Sequence, residues 1–323
     1  MEQLSGILKT LLLGLIDSIK GTILIFYLDK QIKDRQNTPR DFGTPRRRST
    51  NLASSKNTPK KQEDPKILKR AIQCCLLNGG VFWLSILFFE CVLLPGIKSA
   101  IGLLFGHSPG TDQSIWSWIK PLLMWTFGTS WVLPLFILSK VVNALWFQDI
   151  ADSAFRHTRG HPQQFSSVSK LVADSLFSVL VQALFLVQSV LVSMIPIPIL
   201  GDLLSLVHMC LLYSLYAFEY KWCNMGWELH RRLTYIENNW PYFIGFGLPL
   251  AVLTAIPNSY IISGCVFSIL FPLFIISGNE ADPGSQPFEF RLKLFSPVIT
   301  ISNKIFNQTI GNRVNETKKI AHR

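Results

Sequence analysis

The sequence predicts an all-α fold: a polytopic helical membrane protein with about six hydrophobic helices in three hairpins, preceded by an N-terminal amphipathic helix. Hydrophobic residues make up 49% of the 323 residues and charged residues only 16%, a balance too apolar for an ordinary soluble domain. The apolar residues are grouped into paired runs of spanning or nearly spanning length. Most of the net charge of +11 lies in the first 70 residues, which hold 15 Lys or Arg and 7 Asp or Glu, so the membrane part is nearly neutral.

The first pair of apolar runs is long enough to cross a bilayer. Residues 76–97 and 121–142 are each 22 residues long. As helices they would measure about 33 Å, against a hydrocarbon core of about 30 Å. We expect them to form a fully spanning hairpin.

The other two pairs are shorter or joined by an unusual turn. The second pair, 175–195 and 203–218, is joined by an apolar turn, and the third pair, 242–256 and 261–276, has legs of only 15 and 16 residues. These features are typical of re-entrant hairpins, whose tips are tolerated where protein buries them or water reaches them. Tilted spans in a thinned bilayer explain the same lengths, so both interpretations stay open.

The first 28 residues predict an amphipathic helix rather than a cleaved secretory signal. A signal peptide needs a small-residue cleavage site, which this stretch lacks. Its apolar residues fall at the spacing of one helical face, positions 4, 7, 8, 11, 12, 15, 16, 19 and 23. Our working hypothesis is that this helix lies in the headgroup plane of the membrane, and packing onto its own bundle is the alternative.

The composition divides the chain into four parts. The interfacial helix, 1–28, is followed by residues 29–66, which are rich in Pro, Ser, Thr, Asn and basic residues and have almost nothing to bury. We predict that this second part is a disordered, basic cytosolic linker. The membrane domain covers 67–280, and residues 281–323 form a cytosolic C-terminal tail.

Basic residues in the loops orient the predicted hairpins. The three loops inside the hairpins hold one basic residue in total, Lys98, whereas the three segments that follow the hairpins hold 3, 3 and 7. By the positive-inside rule both termini face the cytosol. The acceptor sequons at Asn307 and Asn315 would then stay unglycosylated.

No enzymatic signature occurs. The chain lacks G-x-S-x-G, G-x-x-x-x-G-K-[ST] and H-E-x-x-H motifs and a dinucleotide fingerprint, so we predict a non-enzymatic protein without a cofactor. His157 and His161 are four residues apart, but Gly160 and Pro162 interrupt a helix there, and a solvated loop explains them better than a metal site. The pI of about 9.5 does not indicate nucleic-acid binding, because the aromatic residues lie apart from the basic ones.

Five polar residues lie within or beside the predicted spans and are candidates for a polar pathway through the membrane domain. Ionisable groups at membrane depth are costly and indicate a functional role by default. Hydrogen bonds that hold helices together are the alternative explanation. The five are Glu90, Gln182, Gln188, Asp202 and His208.

The linker contains a candidate basic binding segment and phosphorylation switch. Three Thr-Pro-basic sites resemble targets of proline-directed kinases, and we hypothesise that the adjacent basic run binds anionic membrane or an import receptor. Phosphorylation would add about 1.5 to 2 negative charges at each site and weaken that attraction. A solvated run that only fixes topology is the alternative. The residues are Thr38, Thr44, Arg46, Arg47, Arg48 and Thr58.

The six cysteines predict no disulfide framework, because they lie in or beside apolar runs without a pairing pattern or metal spacing. Cys74 and Cys75 lie at the cytosolic mouth of the first span and are candidates for palmitoylation. Two small apolar residues in a helix are the alternative.

Several long runs closely resemble the etoposide-induced protein family of animals. The resemblance covers roughly residues 68 to 300 and leaves out the linker and the end of the tail. The runs are NGGVFW (78–83), WVLPLFILSKVVNALWFQDIAD (131–152), LLYSLYAFEY (211–220), NNWPYFIGFGLPLA (238–251) and SYIISGCVFSILFPLFIIS (259–277).

The resemblance implies an endoplasmic reticulum protein required for autophagosomes to mature into degradative autolysosomes, with links to growth suppression and apoptosis. It also implies two partners, an importin and an anti-apoptotic Bcl-2-type protein, and the run Arg46 to Arg48 is the only match for the first. The bacterial sulfate-uptake protein CysZ is a more distant resemblance, with two spanning helices and hairpins that dip partway into the bilayer. A channel, transporter or lipid-moving protein is therefore the alternative function, and a homo-oligomer stays open.

Overall fold

The computed structural model describes residues 2–37, 67–105, 111–162, 168–197, 199–257, 259–284, 288 and 290–305. Within these ranges the chain forms helices and turns, without a strand, and six helical segments are long and apolar enough to cross a membrane. The all-α polytopic prediction is therefore confirmed. The helices are α1 (Glu2–Asn37), α2 (67–105), α3 (111–158), α4 (Val168–Ser193), α5 (Leu200–Asn224), α6 (Leu229–Asn238), α7 (Trp240–Ala255), α8 (Tyr260–Glu280) and α9 (296–305).

The first predicted hairpin is formed by α2 and α3, which are much longer than the apolar runs inside them. At 1.5 Å per residue, their 39 and 48 residues reach about 58 and 72 Å. Both helices contain π-helical segments, at Leu76–Trp83 and Phe89–Leu93 in α2 and at Gly128–Val132 in α3. Pro134 follows the last of these and has no N–H for the carbonyl of Ser130, which interrupts the regular ladder.

The second predicted pair corresponds to α4 with α5, and the third to α7 with α8. Three of these helices are longer than the predicted runs, with 26 residues in α4, 25 in α5 and 21 in α8, because polar residues continue each helix beyond its apolar run. Only α7, with 16 residues, stays short. It is also the most enclosed helix, because α1, α5 and α8 all pack against it.

The N-terminal helix packs onto this bundle through its small and polar residues. A Cβ atom added to Gly14 would clash with the backbone of Tyr242, and one added to Gly21 would clash with the backbone of Leu273. The hydroxyl of Ser277 accepts a hydrogen bond from the N–H of Gly21 at 2.7 Å and donates one to the carbonyl of Ser18 at 2.7 Å. The phenol of Tyr242 donates to the Oδ2 atom of Asp17 at 2.7 Å. The helix therefore makes close backbone contact with α7 and α8.

The opposite face of α1 is apolar and exposed. Leu4 and Ile23, for example, are 71% and 74% exposed. Six of the nine apolar positions identified in the sequence lie on this outer face: Leu4, Leu8, Leu12, Ile16, Ile19 and Ile23. The helix also runs to Asn37, so it takes up the first part of the segment predicted as linker, and residues 38–66 lie outside the described residues. The stretch Gln3–Leu28 is one of the six segments long and apolar enough to cross a membrane, whereas α7 is not, so placement of α1 in the headgroup plane stays a prediction.

The C-terminal segment 290–305 packs against α4 and α6. The ring of Phe295 is fully buried and stacks on Phe185 with centroids 4.2 Å apart, and its N–H donates to the Oε1 atom of Glu237 at 3.1 Å. Burial raises the pKa of the Glu237 carboxyl above its usual range. The side chain of Gln188 donates to the carbonyl of Leu294 at 3.1 Å. This part of the predicted tail is therefore an integral part of the fold.

That contact favours a dipping α4–α5 hairpin over a full span. Arg291 and Lys293 flank the contact and are exposed, and charged residues are costly in the hydrocarbon core. Gln188, which contacts Leu294 beside these two charged residues, should then lie at the depth of the headgroups or of water rather than in the hydrocarbon core. Because α4 ends at Ser193, only about 8 Å of helix remain beyond Gln188, far less than the about 30 Å of a crossing.

Candidate functional site

A fully buried arginine ties α4, α5 and α6 together. The Arg232 guanidinium donates from Nη2 to the Oδ2 atom of Asp174 at 2.7 Å and from Nη1 to the Oε1 atom of Glu219 at 3.3 Å. Its Nε and Nη2 atoms also donate to the carbonyl of Trp227, at 2.9 and 2.6 Å. The other carboxylate oxygen of Asp174 accepts the N–H of Leu229, the first residue of α6, at 3.1 Å. A buried ion pair persists only with such additional hydrogen bonds.

Glu219 receives two further donors besides Arg232. The hydroxyl of Ser178 donates to its Oε1 atom, and the Nε2 atom of Gln182 donates to its Oε2 atom at 2.5 Å. These three donors satisfy both oxygens of the Glu219 side chain. Glu219 is the one acidic residue in the run LLYSLYAFEY, which is the signal by which the sequence could have identified it.

Glu219 lines a mostly apolar cavity of about 200 Å³ between α3, α4, α5 and α8. The ammonium of Lys140 faces the same space and lies 5.1 Å from the Phe136 ring and 5.8 Å from the Phe267 ring. Among the described residues it has no hydrogen-bond or ion-pair partner. The lining residues are Lys140, Asn143, Ala144, Phe147, Gln182, Tyr216, Glu219, Tyr220, Phe267, Ser268 and Phe271.

Two of the predicted pathway residues form a separate cluster. The Nε2 atoms of Gln188 and His208 lie 3.0 Å apart, and the Nδ1 atom of His208 lies 2.7 Å from the carbonyl of Leu204. This arrangement fits the tautomer in which Nδ1 donates to the carbonyl of Leu204 and Nε2 accepts from the amide of Gln188. His208 is buried, so the cluster holds α4 and α5 together.

The other three predicted pathway residues lie apart from that cluster. Gln182 contacts Glu219 in the cavity, whereas Glu90 on α2 and Asp202 at the start of α5 are exposed. Within the described chain neither acid has a hydrogen bond or an ion pair. A continuous path through all five residues stays a prediction, and the structure places only Gln188 and His208 in direct contact.

The remaining candidates are distributed along the chain. Cys74 is buried and Cys75 is exposed, so only the second thiol is open to acylation. The three Thr-Pro sites and the run Arg46 to Arg48 lie outside the described residues. Over the ranges that the structure covers, no group of three or more His, Cys, Asp or Glu side chains could hold a metal ion.

Sequence reasoning missed the charged residues that build the site. Arg232, Asp174 and Lys140 were treated only as loop or span residues. A local signal existed for Lys140, which is the one charged residue between Lys120 and Asp149. No local signal joins Asp174 to Arg232, which are 58 residues apart and meet only through the fold.

These features define a polytopic α-helical membrane protein with a charged, partly enclosed site between α3, α4, α5 and α8. Residues 62–263 match the family described as "Sulfate transporter CysZ/Etoposide-induced protein 2.4". Because this match covers more than half of the chain, the protein belongs to that family.

Curated relatives support the same assignment. The chain is 30% identical over 275 residues to Ectopic P granules protein 4 of Caenorhabditis elegans, covering 83% of this chain and 81% of the relative. It is 28% identical over 248 residues to Protein EI24 homolog of Arabidopsis thaliana, covering 68% and 76%. A Dictyostelium discoideum protein of the same name is 29% identical over 219 residues, covering 67% and 66%. No solved structure matches the chain.

Proposed function

We propose that this protein acts in the endoplasmic reticulum membrane as a non-enzymatic component of autophagy, required for autophagosomes to mature into degradative autolysosomes. The observation that carries the proposal is the match to the nematode relative over 83% of the chain. That relative is named for P granules found out of place, which fits a role in the removal of cellular material. The family description names a transporter and an etoposide-induced protein but no enzyme.

In this proposal the protein works through contacts made by its cytosolic faces. Both termini would face the cytosol, where the basic linker and the end of the tail would meet other proteins. An importin and an anti-apoptotic Bcl-2-type protein are the proposed partners, through which growth suppression and apoptosis would be linked. A homo-oligomer would use the exposed apolar faces of α2 and α3.

A rescue experiment tests the autophagy proposal. In animal cells depleted of their own family member, expression of this chain should restore the turnover of an autophagy cargo receptor. A chain that reaches the endoplasmic reticulum at normal abundance and restores no turnover would contradict the proposal.

The basic linker can be tested in the same cells. Replacing Arg46, Arg47 and Arg48 with Ala should reduce importin capture and liposome binding. Replacing Lys56, Lys60 and Lys61 with Ala removes the same charge from the same linker and serves as the matched control. Equal binding by the two triple variants would show that the run Arg46 to Arg48 binds no better than other basic residues of the linker.

The proposed orientation has its own test. Asn307 and Asn315 should carry no glycan, whereas a sequon introduced within residues 106–110 should be glycosylated. An endoglycosidase-sensitive mass shift assigned to Asn307 or Asn315 would reverse the orientation.

Transport is a second candidate function, favoured by the charged residues Lys140 and Glu219 that line the cavity and by the transporter named in the family description. Liposomes containing the purified protein would be assayed for sulfate, ion and lipid flux. Flux that is lost in Gln182→Ala and kept in Glu90→Gln would place the path at the cavity, whereas flux lost in His208→Ala would place it at the Gln188–His208 cluster. A protein without a transport role gives no flux in any assay.

A further inference from the structure

We propose that the cavity at Glu219 and Lys140 binds the headgroup of a zwitterionic membrane phospholipid, with the phosphate at Lys140 and the ammonium group at Glu219. This site would give the protein a defined lipid ligand. The inference does not depend on the proposed role in autophagy, because it rests on the charges, the volume and the surroundings of the cavity.

The charges around the cavity favour a ligand with no net charge. Lys140 and Arg232 contribute two positive charges, and Glu219 and Asp174 contribute two negative ones. Arg232 is enclosed by its carboxylate and carbonyl acceptors, which leaves Lys140 as the accessible cation and Glu219 as the accessible anion. A simple anion at Lys140 would also face the carboxylate of Glu219, whereas a zwitterion satisfies both groups.

The aromatic lining suits both ends of such a headgroup. Tyr216, Tyr220, Phe267 and Phe271 present rings to the cavity, and ring faces attract ammonium groups. The hydroxyls of Tyr216 and Tyr220 make no hydrogen bond to any residue that the structure describes. They therefore remain available to donate to phosphate oxygens.

The position and size of the cavity point to a lipid rather than a free solute. Lys140 and Ala144 are exposed at the edge of the cavity, and the neighbouring Ile137, Val141 and Leu145 are between 56% and 64% exposed. Acyl chains can lie on this apolar surface while the headgroup enters. The volume of about 200 Å³ is below the roughly 300 to 1,000 Å³ of sites that enclose whole drug-sized ligands.

An ordinary role for Lys140 must be separated from this one. A lone lysine near the end of a span often extends to the headgroup region without specific binding, while its stem covers apolar surface. Such a lysine would not distinguish between phospholipid classes. The experiment therefore compares lipid classes and uses a second lysine on the same helix.

The test is native mass spectrometry of the purified full-length protein in detergent, titrated separately with four lipids and one soluble headgroup. The lipids are phosphatidylethanolamine, phosphatidylcholine, phosphatidic acid and diacylglycerol, and the soluble probe is glycerophosphoethanolamine. We expect the two zwitterionic lipids to bind most tightly. In Lys140→Met their affinity should fall about tenfold, as for loss of a charge-assisted hydrogen bond.

Two further variants keep the result interpretable. Lys120→Met removes an exposed lysine from the same helix, away from the cavity, and should leave lipid binding unchanged. The double variant Tyr216→Phe with Tyr220→Phe keeps the rings and removes both hydroxyls, and should weaken binding about threefold or more. The thermal unfolding midpoint of each variant shows whether its fold is intact.

Several outcomes would contradict the proposal of a zwitterionic lipid site. These are equal affinity for diacylglycerol, tighter binding of phosphatidic acid than of either zwitterionic lipid, or unchanged phosphatidylethanolamine binding in Lys140→Met. Soluble glycerophosphoethanolamine that binds as tightly as the whole lipid would make this a solute site and contradict the lipid proposal.

Discussion

The distal arm, formed by residues 84–105 of α2 and 111–132 of α3, differs sharply from the base of the molecule, which contains the other described residues. In the arm, apolar side chains are largely exposed, with Leu103 at 83% and Trp118 at 80%. In the base, glycines, an arginine and carboxylates are buried, as at Gly14 and Arg232. Contact with lipid or a partner therefore accounts for the apolar residues of the arm, whereas close packing accounts for the residues in the interior of the base.

The largest expected effect that separates the two regions comes from Arg232. Replacing it with Met leaves the half-buried carboxylates of Asp174 and Glu219 without their cation, and should destabilise the protein by about 3 to 5 kcal/mol. Arg231→Met is the matched control, because Arg231 is exposed and only lies over the Trp227 ring at 4.0 Å. Thermal unfolding followed by fluorescence-detected gel filtration would measure both. Similar midpoints for the two variants would show that the buried network does not stabilise the base.

Glycine substitutions should have opposite signs in the base and in the arm. A methyl group at Gly14 or Gly245 meets the backbone of the neighbouring helix, so Gly14→Ala and Gly245→Ala should cost about 2 to 3 kcal/mol or more. Gly96 and Gly128 have nothing within 4 Å, so Ala there should be neutral or stabilise by up to about 1 kcal/mol. The same gel-filtration assay ranks the four variants. An unfolding midpoint in Gly14→Ala equal to that of Gly96→Ala would contradict the close packing of α1.

A medium effect is expected where α2 and α3 join the base. The side-chain amides of Asn78 and Asn143 donate to each other at 3.1 and 3.2 Å, and both residues are buried. Asn143→Ala leaves the amide of Asn78 without this partner and should cost about 1 to 2 kcal/mol. The double variant should cost less than the sum of the two single changes. Additive costs, measured in a double-mutant cycle, would show that the pair does not act as a unit.

The smallest effect is expected within the arm. The rings of Phe89 and Phe127 stack with centroids 3.8 Å apart and join α2 to α3. Phe89→Leu should cost about 1 kcal/mol, because most of the apolar contact is kept and the ring pair is lost. Phe88→Leu, at an exposed neighbouring ring, is the control and should change the unfolding midpoint less. A larger loss in the control would mean that lipid-facing rings dominate the stability of the arm.

The sequence alone predicted the elements whose signals are local. Apolar run length identified the hairpins, and the period of positions 4 to 23 identified α1 as a helix. The sequence did not reveal that Gly14, Asp17 and Gly21 face the bundle. An apolar helix face is ordinarily expected to pack inward, and only the contacts with α7 and α8 show that the small and polar face of α1 does so instead. Likewise, Asp174, Glu219 and Arg232 come from three helices, so no periodicity in one segment could bring them together.

The contacts of α1 have a consequence for the biosynthesis of the protein. Gly21 meets Ser277 and Asp17 meets Tyr242, partners that leave the ribosome 256 and 225 residues later. During synthesis α1 therefore lacks its packing partners, α7 and α8, until most of the chain has been made. Its outward apolar row, from Leu4 to Ile23, offers a means of keeping it at the membrane surface until then. The exposed apolar face of α1 would thus hold the nascent chain at the membrane.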